Sequence, residues 1–222
     1  MNEVVGDILP LAVAAGLSPI PLIAVVLIMM SPRPRLSGSG FAAGWVIGCA
    51  VVVAAGAIAA GLLEGTGSDS TPAIFAWARI AFGVVLLLLA ARKVVTARKK
   101  GEAELPAWMS GLMTAGPARS VGLGVLLSAA NPKNALLGIA AGISIGGAGV
   151  GAEAALASGA VYVLVASVTV LAIVVAAATA PHRMAKVLAR LRDWLTLHNS
   201  AIMAVLLLVF GVVLIGKGIE GL

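Results

Sequence analysis

Hydrophobic positions do not alternate with polar ones over most of this chain; they come in long runs. Six apolar stretches stand out, roughly residues 8–30, 41–63, 74–91, 121–145, 154–178 and 201–219. About twenty such residues in a helix cross the hydrocarbon core of a bilayer. Polar, turn-rich segments separate them: SPRPRLSGS (31–39), EGTGSDSTP (64–72), the charged stretch 96–119 and the glycine loop GGAGVG (146–151). The pattern changes only at PHRMAKVLARLRDWLTLH (181–198). There Met184, Val187, Leu188, Leu191, Trp194 and Leu195 fall on one helical face and Arg183, Lys186, Arg190 and Asp193 on the other. That segment is expected to be a basic amphipathic helix lying on the membrane, able to bind anionic lipid; the plainer alternative is a solvated connector.

Composition agrees. Of 222 residues 61% are hydrophobic and 11% charged, against about 25% charged in soluble domains. The pattern predicts an all-α polytopic membrane protein of one domain, its loops too short for a soluble module. Cys49 is the only cysteine, so no intramolecular disulfide or thiolate metal cluster can form. Glu3 and Asp7 replace the basic region of a signal peptide. The net charge of +6 is no sign of nucleic acid here, because the placement of the charges explains it better. Arg33 and Arg35, then Arg92, Lys93, Arg98, Lys99, Lys100 and Arg119, then Arg183, Lys186, Arg190 and Arg192 lie at the odd-numbered loops; Glu64, Asp69 and Glu153 lie at the even ones. The positive-inside rule makes the odd loops cytoplasmic and puts both termini outside.

Three spans per half means that the halves enter the membrane from opposite sides. Aligning GLSPIPLIAVVLIM (16–29) with SAANPKNALLGIAAG (128–142) on Pro19 and Pro132 pairs Ser18 with Asn131 and Pro21 with Asn134. The expected architecture is a 3+3 inverted-topology repeat with helices 1 and 4 broken at prolines: repeat 1 over about 1–95, a basic cytoplasmic linker over about 96–119 and repeat 2 over about 120–222. Glycine stripes Gly40–Gly44–Gly48 and Gly138–Gly142–Gly146 allow close helix packing, within the chain or in a homodimer.

The chemistry concentrates at the two breaks. Proline removes a helical hydrogen bond and frees carbonyls, tolerated in a membrane only inside protein or beside a wet cavity. Ser18, Pro19, Pro21, Asn131, Pro132, Lys133 and Asn134 are therefore the candidate substrate-binding residues. A lysine at this depth costs at least ~2.5–3.5 kcal/mol, which favours a functional role over snorkelling to the surface. One lysine among amide donors suits an anion. No cluster of buried carboxylates offers a metal the oxygen ligands it needs, and no metal or other cofactor is expected. GVVLIGKG (211–218) imitates a P-loop, but Gly218 stands where a magnesium-binding Ser or Thr belongs. His182 and His198 have no nucleophile–acid partners in the pattern, and no enzyme activity is expected.

Three segments together, SPIPLIAVVLIMMSPRPR (18–35), GFAAGWVIG (40–48) and NPKN (131–134), resemble the GAP family of peptidoglycolipid-addressing proteins, some called sulfolipid-addressing proteins, within the lysine exporter (LysE) superfamily. The resemblance covers essentially the whole chain. It implies a bacterial inner-membrane protein that exports envelope glycolipids. Joined to the candidate site, it gives a transporter or flippase for an anionic glycolipid or precursor, with Arg33, Arg35, Arg183, Lys186 and Arg190 gathering headgroups at the cytoplasmic surface. Envelope lipid-synthesis or export machinery is an expected partner; nucleic acid is not. The alternatives are a small-solute exporter, for example of an amino acid, and a non-transporting scaffold for another lipid exporter.

Overall fold

The computed structural model describes residues 2–64, 71–99, 111–112 and 114–221. Half of the expected linker 96–119 and most of the loop 64–72 lie outside the described residues. Those that are described form helices α1 (Asn2–Gly16), α2 (Pro19–Met29), α3 (Pro34–Glu64), α4 (Thr71–Lys99), α5 (Pro117–Val125), a π-helical turn (Leu126–Ala130), α6 (Pro132–Gly146), α7 (Ala152–Thr179) and α8 (Pro181–Glu220). All six expected apolar stretches are helical. Helices Pro34–Leu62, Ala152–Thr179 and Pro181–Glu220 are long and apolar enough to cross a membrane, and α1 with α2 makes a fourth candidate span bent by 51°.

Both expected breaks form, and for the same reason. A proline disfavours the α conformation in the residue before it. Ser18 is extended at φ −67° and ψ 115°, and Asn131 at φ −71° and ψ 116°; Pro19 and Pro132 then open α2 and α6 from the first helical turn, where a missing N–H costs nothing. The second break is prepared by the π turn, where Ser128 Oγ donates to the carbonyls of Gly124 (2.8 Å) and Val125 (3.1 Å). α2 is apolar on every side and ten of its residues are buried, so it occupies the core.

Glycine sets the packing. Along α3, Gly40 lies against Pro117, Gly44 against Val121 and Gly48 against Val125 and Ser128. Further on, Gly142 meets Val53, Gly56 and Ala57, and Gly146 meets Ala57 and Ala60. The order of these contacts makes α3 parallel to the whole interrupted helix α5–π–α6. A Cβ on Gly142 would sit 2.8 Å from the Gly56 Cα, so the backbones touch. Both stripes thus serve one interface within the chain. α4 and α8 pair antiparallel in the same manner: Gly83 meets Gly211 and Ile215, and Gly218 meets Ala76 and Ile80. α7 joins the halves, its Ala166 carbonyl accepting from Trp45 Nε1 at 3.2 Å.

Two expectations need correction. The segment 31–39 is not a loop throughout, because Pro34 starts α3. The residues 181–198 are not a separate surface helix; they are the first half of the 40-residue α8, about 60 Å long at 1.5 Å per residue. No Gly or Pro interrupts 196–201, and Thr196 Oγ1 and His198 Nδ1 bond the carbonyls one turn back, Arg192 at 2.7 Å and Trp194 at 2.8 Å. Its apolar face is divided: Leu188 and Leu195 are buried, whereas Val187 and Trp194 are exposed.

Candidate functional site

The two breaks meet. Lys133, from the first turn of α6, donates from Nζ to Ser18 Oγ at 2.7 Å and to the carbonyl of Ala14 at 2.6 Å. Ser18 Oγ in turn donates to Asn134 Oδ1 at 2.7 Å, and Asn134 Nδ2 donates to the Leu127 carbonyl at 3.1 Å. Ser18, Lys133 and Asn134 are each at most 3% exposed. Lys133 does not snorkel; it points across to the other half of the chain.

The two acceptor carbonyls have one origin. Ala14 and Leu127 each lie five residues before their proline. The Ser18 N–H bonds Ala15 rather than Ala14, leaving the Ala14 carbonyl among the unmatched groups that every helix end carries. After Leu127 the π turn's i+5 partner would be Pro132, which has no N–H. Both orphans are answered from α6, Ala14 by Lys133 and Leu127 by Asn134. At the matching positions of the first half stand Ile20 and Pro21, which have no side-chain donor. The charge and the donors therefore all come from one side of the meeting point.

The other expected site residues divide. Asn131 caps α6, its Oδ1 accepting from the Lys133 N–H at 3.2 Å, which holds the lysine backbone in place. Pro19 and Pro21 are buried in the wall, and Pro132 is exposed. Among the surface cations, Arg35 Nη2 donates to the Ala178 carbonyl at 3.1 Å, which brings it to the end of α7 and the start of α8. Arg33, Arg183, Lys186 and Arg190 are exposed. The structure thus joins Ser18, Lys133 and Asn134 at the centre and sets the arginine group apart from them.

Sequence reasoning missed three features. The Ala14 and Leu127 carbonyls are backbone groups, signalled only by their distance from a proline. Thr169 Oγ1 donates to the Gly16 carbonyl at 2.6 Å, a third tie to the end of α1. Arg79 on α4 reaches Ser144 on α6, Nη2 to Oγ at 3.3 Å; an arginine inside an apolar stretch was the visible signal.

Chemically, the cluster holds a cation on a short tether between two helix ends, bonded to neutral acceptors only. It can bind and release an anion.

Comparison with the curated proteins returns no match, and none of the solved structures matches. The family model described as Sap, sulfolipid-1-addressing protein, matches residues 8–220. With three helices long and apolar enough to cross a membrane, the chain belongs to the sulfolipid-1-addressing protein family.

Proposed function

We propose that this protein is a transporter or flippase of the bacterial cytoplasmic membrane that moves an anionic envelope glycolipid, or its precursor, outward through the cluster at Lys133. In this proposal the chain crosses the membrane six times as two inverted three-helix repeats, with both termini outside. The observation that carries it is Lys133 Nζ, buried and bonded across the meeting of two proline breaks to Ser18 and Ala14. An anionic headgroup competes for this ammonium. Taking it removes the tie between α6 and the end of α1, so binding and opening are coupled by one side chain. No catalytic step is proposed.

The distribution of charge supports the orientation. Arg35, tied to Ala178, marks one end of the bundle, near Arg33 and Arg183. Asp7 and Lys217 pair at the other. Basic residues favour the cytoplasmic side and would raise the local concentration of anionic headgroups there. The match between Ser18 and Asn131 in backbone angles supports the repeat. So does the reciprocal pairing across the halves, α1 of the first with α7 of the second and α5–α6 of the second with α3 of the first, through Gly16 against Ala166 and Gly44 against Val121.

The test is Lys133→Met in proteoliposomes with a labelled sulfated glycolipid. A hydrogen bond to a charged group contributes about 1.5–3 kcal/mol, so translocation falls by about tenfold to a hundredfold while the helical fold survives. Unchanged translocation in a folded variant overturns the site. Wild-type protein that carries amino acids in inverted vesicles but no lipid would make it a solute exporter. Lipid movement only with a second membrane protein present would make it a scaffold.

A further inference from the structure

Arg79 is a further cation within the helical stretches whose side chain reaches the other half, at α6. It sits nine positions into α4, and its next residue, Ile80, packs on Gly218, which puts it at the end of the bundle that carries the Asp7–Lys217 pair. Its Nη2 donates to Ser144 Oγ at 3.3 Å. Its Nε is buried and has no hydrogen-bond partner among the described residues. In a guanidinium the Nε–H and one Nη2–H point the same way, as a fork whose spacing matches the two oxygens of a carboxylate, sulfate or phosphate. Ser144 offers one oxygen to Nη2 at a long distance; Nε meets no acceptor among the described residues.

We propose that Arg79 and Ser144 form a second anion site, which takes a tetrahedral or planar oxyanion through both tines of the guanidinium fork. Ser144 is 6% exposed and lies on the same helix as Lys133. Eleven residues separate them, about three turns and about 16 Å, so the two positions share a face of α6. Leu137, Ala140 and Ala141 lie on that face between them, all with 0% exposure. The two cations thus stand in series along one helix, one at each end. Use of this site by a departing headgroup rests on the proposed function above; the capacity of Arg79 to bind an oxyanion does not.

The probe is inorganic sulfate, added to the purified full-length protein in detergent, with chloride at equal ionic strength as reference because sulfate also stabilises proteins by exclusion. Binding to the folded state raises the unfolding temperature with sulfate concentration. The wild-type protein is expected to show this rise beyond the chloride reference. Arg79→Gln loses it. Ser144→Asp carries the test if Arg79→Gln does not fold: its carboxylate fills the fork from within, so the variant melts higher without sulfate and no longer responds to it. A wild-type protein indifferent to sulfate, or a Ser144→Asp variant that responds as the wild type does, overturns the site. Lipid translocation is measured separately, so a chain that moves no lipid yet answers sulfate through Arg79 refutes the transport reading and leaves this one standing.

Discussion

Asn134→Leu removes the polar link between the two breaks and keeps the branching and the number of heavy atoms of the side chain. Two bonds go: Asn134 Nδ2 to the Leu127 carbonyl at 3.1 Å and Ser18 Oγ to Asn134 Oδ1 at 2.7 Å. A buried group left without its partner costs about 1–3 kcal/mol, which would put the sum at about 2–6 kcal/mol. The two losses are unequal, however. The Ser18 hydroxyl can rotate and donate to a carbonyl one turn back. The Leu127 carbonyl has no such recourse, because the residue that would answer it is Pro132. Unfolded helices in a membrane also find polar partners, which lowers measured values to about 0.6 kcal/mol on average. The expected loss is therefore about 1–3 kcal/mol, nearly all of it from Leu127. Ser18→Ala also takes an acceptor from the Lys133 ammonium and should cost about as much, but less in the Asn134→Leu background, where one of its two partners has already gone. A double-mutant cycle of reversible unfolding in mixed detergent, followed by tryptophan fluorescence, should give a coupling of about 0.5–1.5 kcal/mol. A neutral Asn134→Leu, or a strictly additive pair, would refute the claim that this network ties the breaks together.

Gly142→Leu should abolish folding or destabilise it by more than the about 1–3 kcal/mol of ordinary overpacking, because the α3 backbone stands in the way; detergent-resistant expression checks this. Gly216→Ala, which meets open space in the interior of α8, should raise stability by up to about 1 kcal/mol, read as a higher melting temperature. Asp7→Asn should cost less than about 1 kcal/mol, since the ion pair with Lys217 is partly exposed, and high salt should erase even that. Cys49, 5% exposed on α3, should react with a maleimide only after the helices are unfolded; prompt labelling of the native protein would contradict its packing.

The breaks were legible because proline acts on its own neighbours: Pro19 and Pro132 announce an extended residue before them whatever surrounds the chain. Ser18, Lys133 and Asn134 were legible as a group because polar residues in apolar runs need one another. The acceptors were not, since the Ala14 and Leu127 carbonyls carry no mark in their own side chains. The continuity of α8 was hidden for the opposite reason. Its pattern changes near residue 199 from amphipathic to uniformly apolar, which resembles a boundary, yet helix propagation depends on breakers and none is present. The Arg79–Ser144 contact was beyond reach because the two residues belong to different halves and only the packing of α4 on α6 joins them.

The glycine seam between α3 and α5–π–α6 also has a mechanical meaning. Two helices in backbone contact along most of their length cannot roll or slide without driving Cβ atoms into main chain. α3 therefore acts as a splint for the interrupted helix beside it: the π turn and the kink at Asn131 are held straight against a continuous rod, and Lys133 is carried on a fixed mount. Beside Ser18 the brace is shorter, Gly16 against Ala166 of α7, with ties from Thr169 and Lys133 to single carbonyls. In the transport proposed here, opening of the cluster would therefore fall to the α1 side, with the lysine as the stationary jaw.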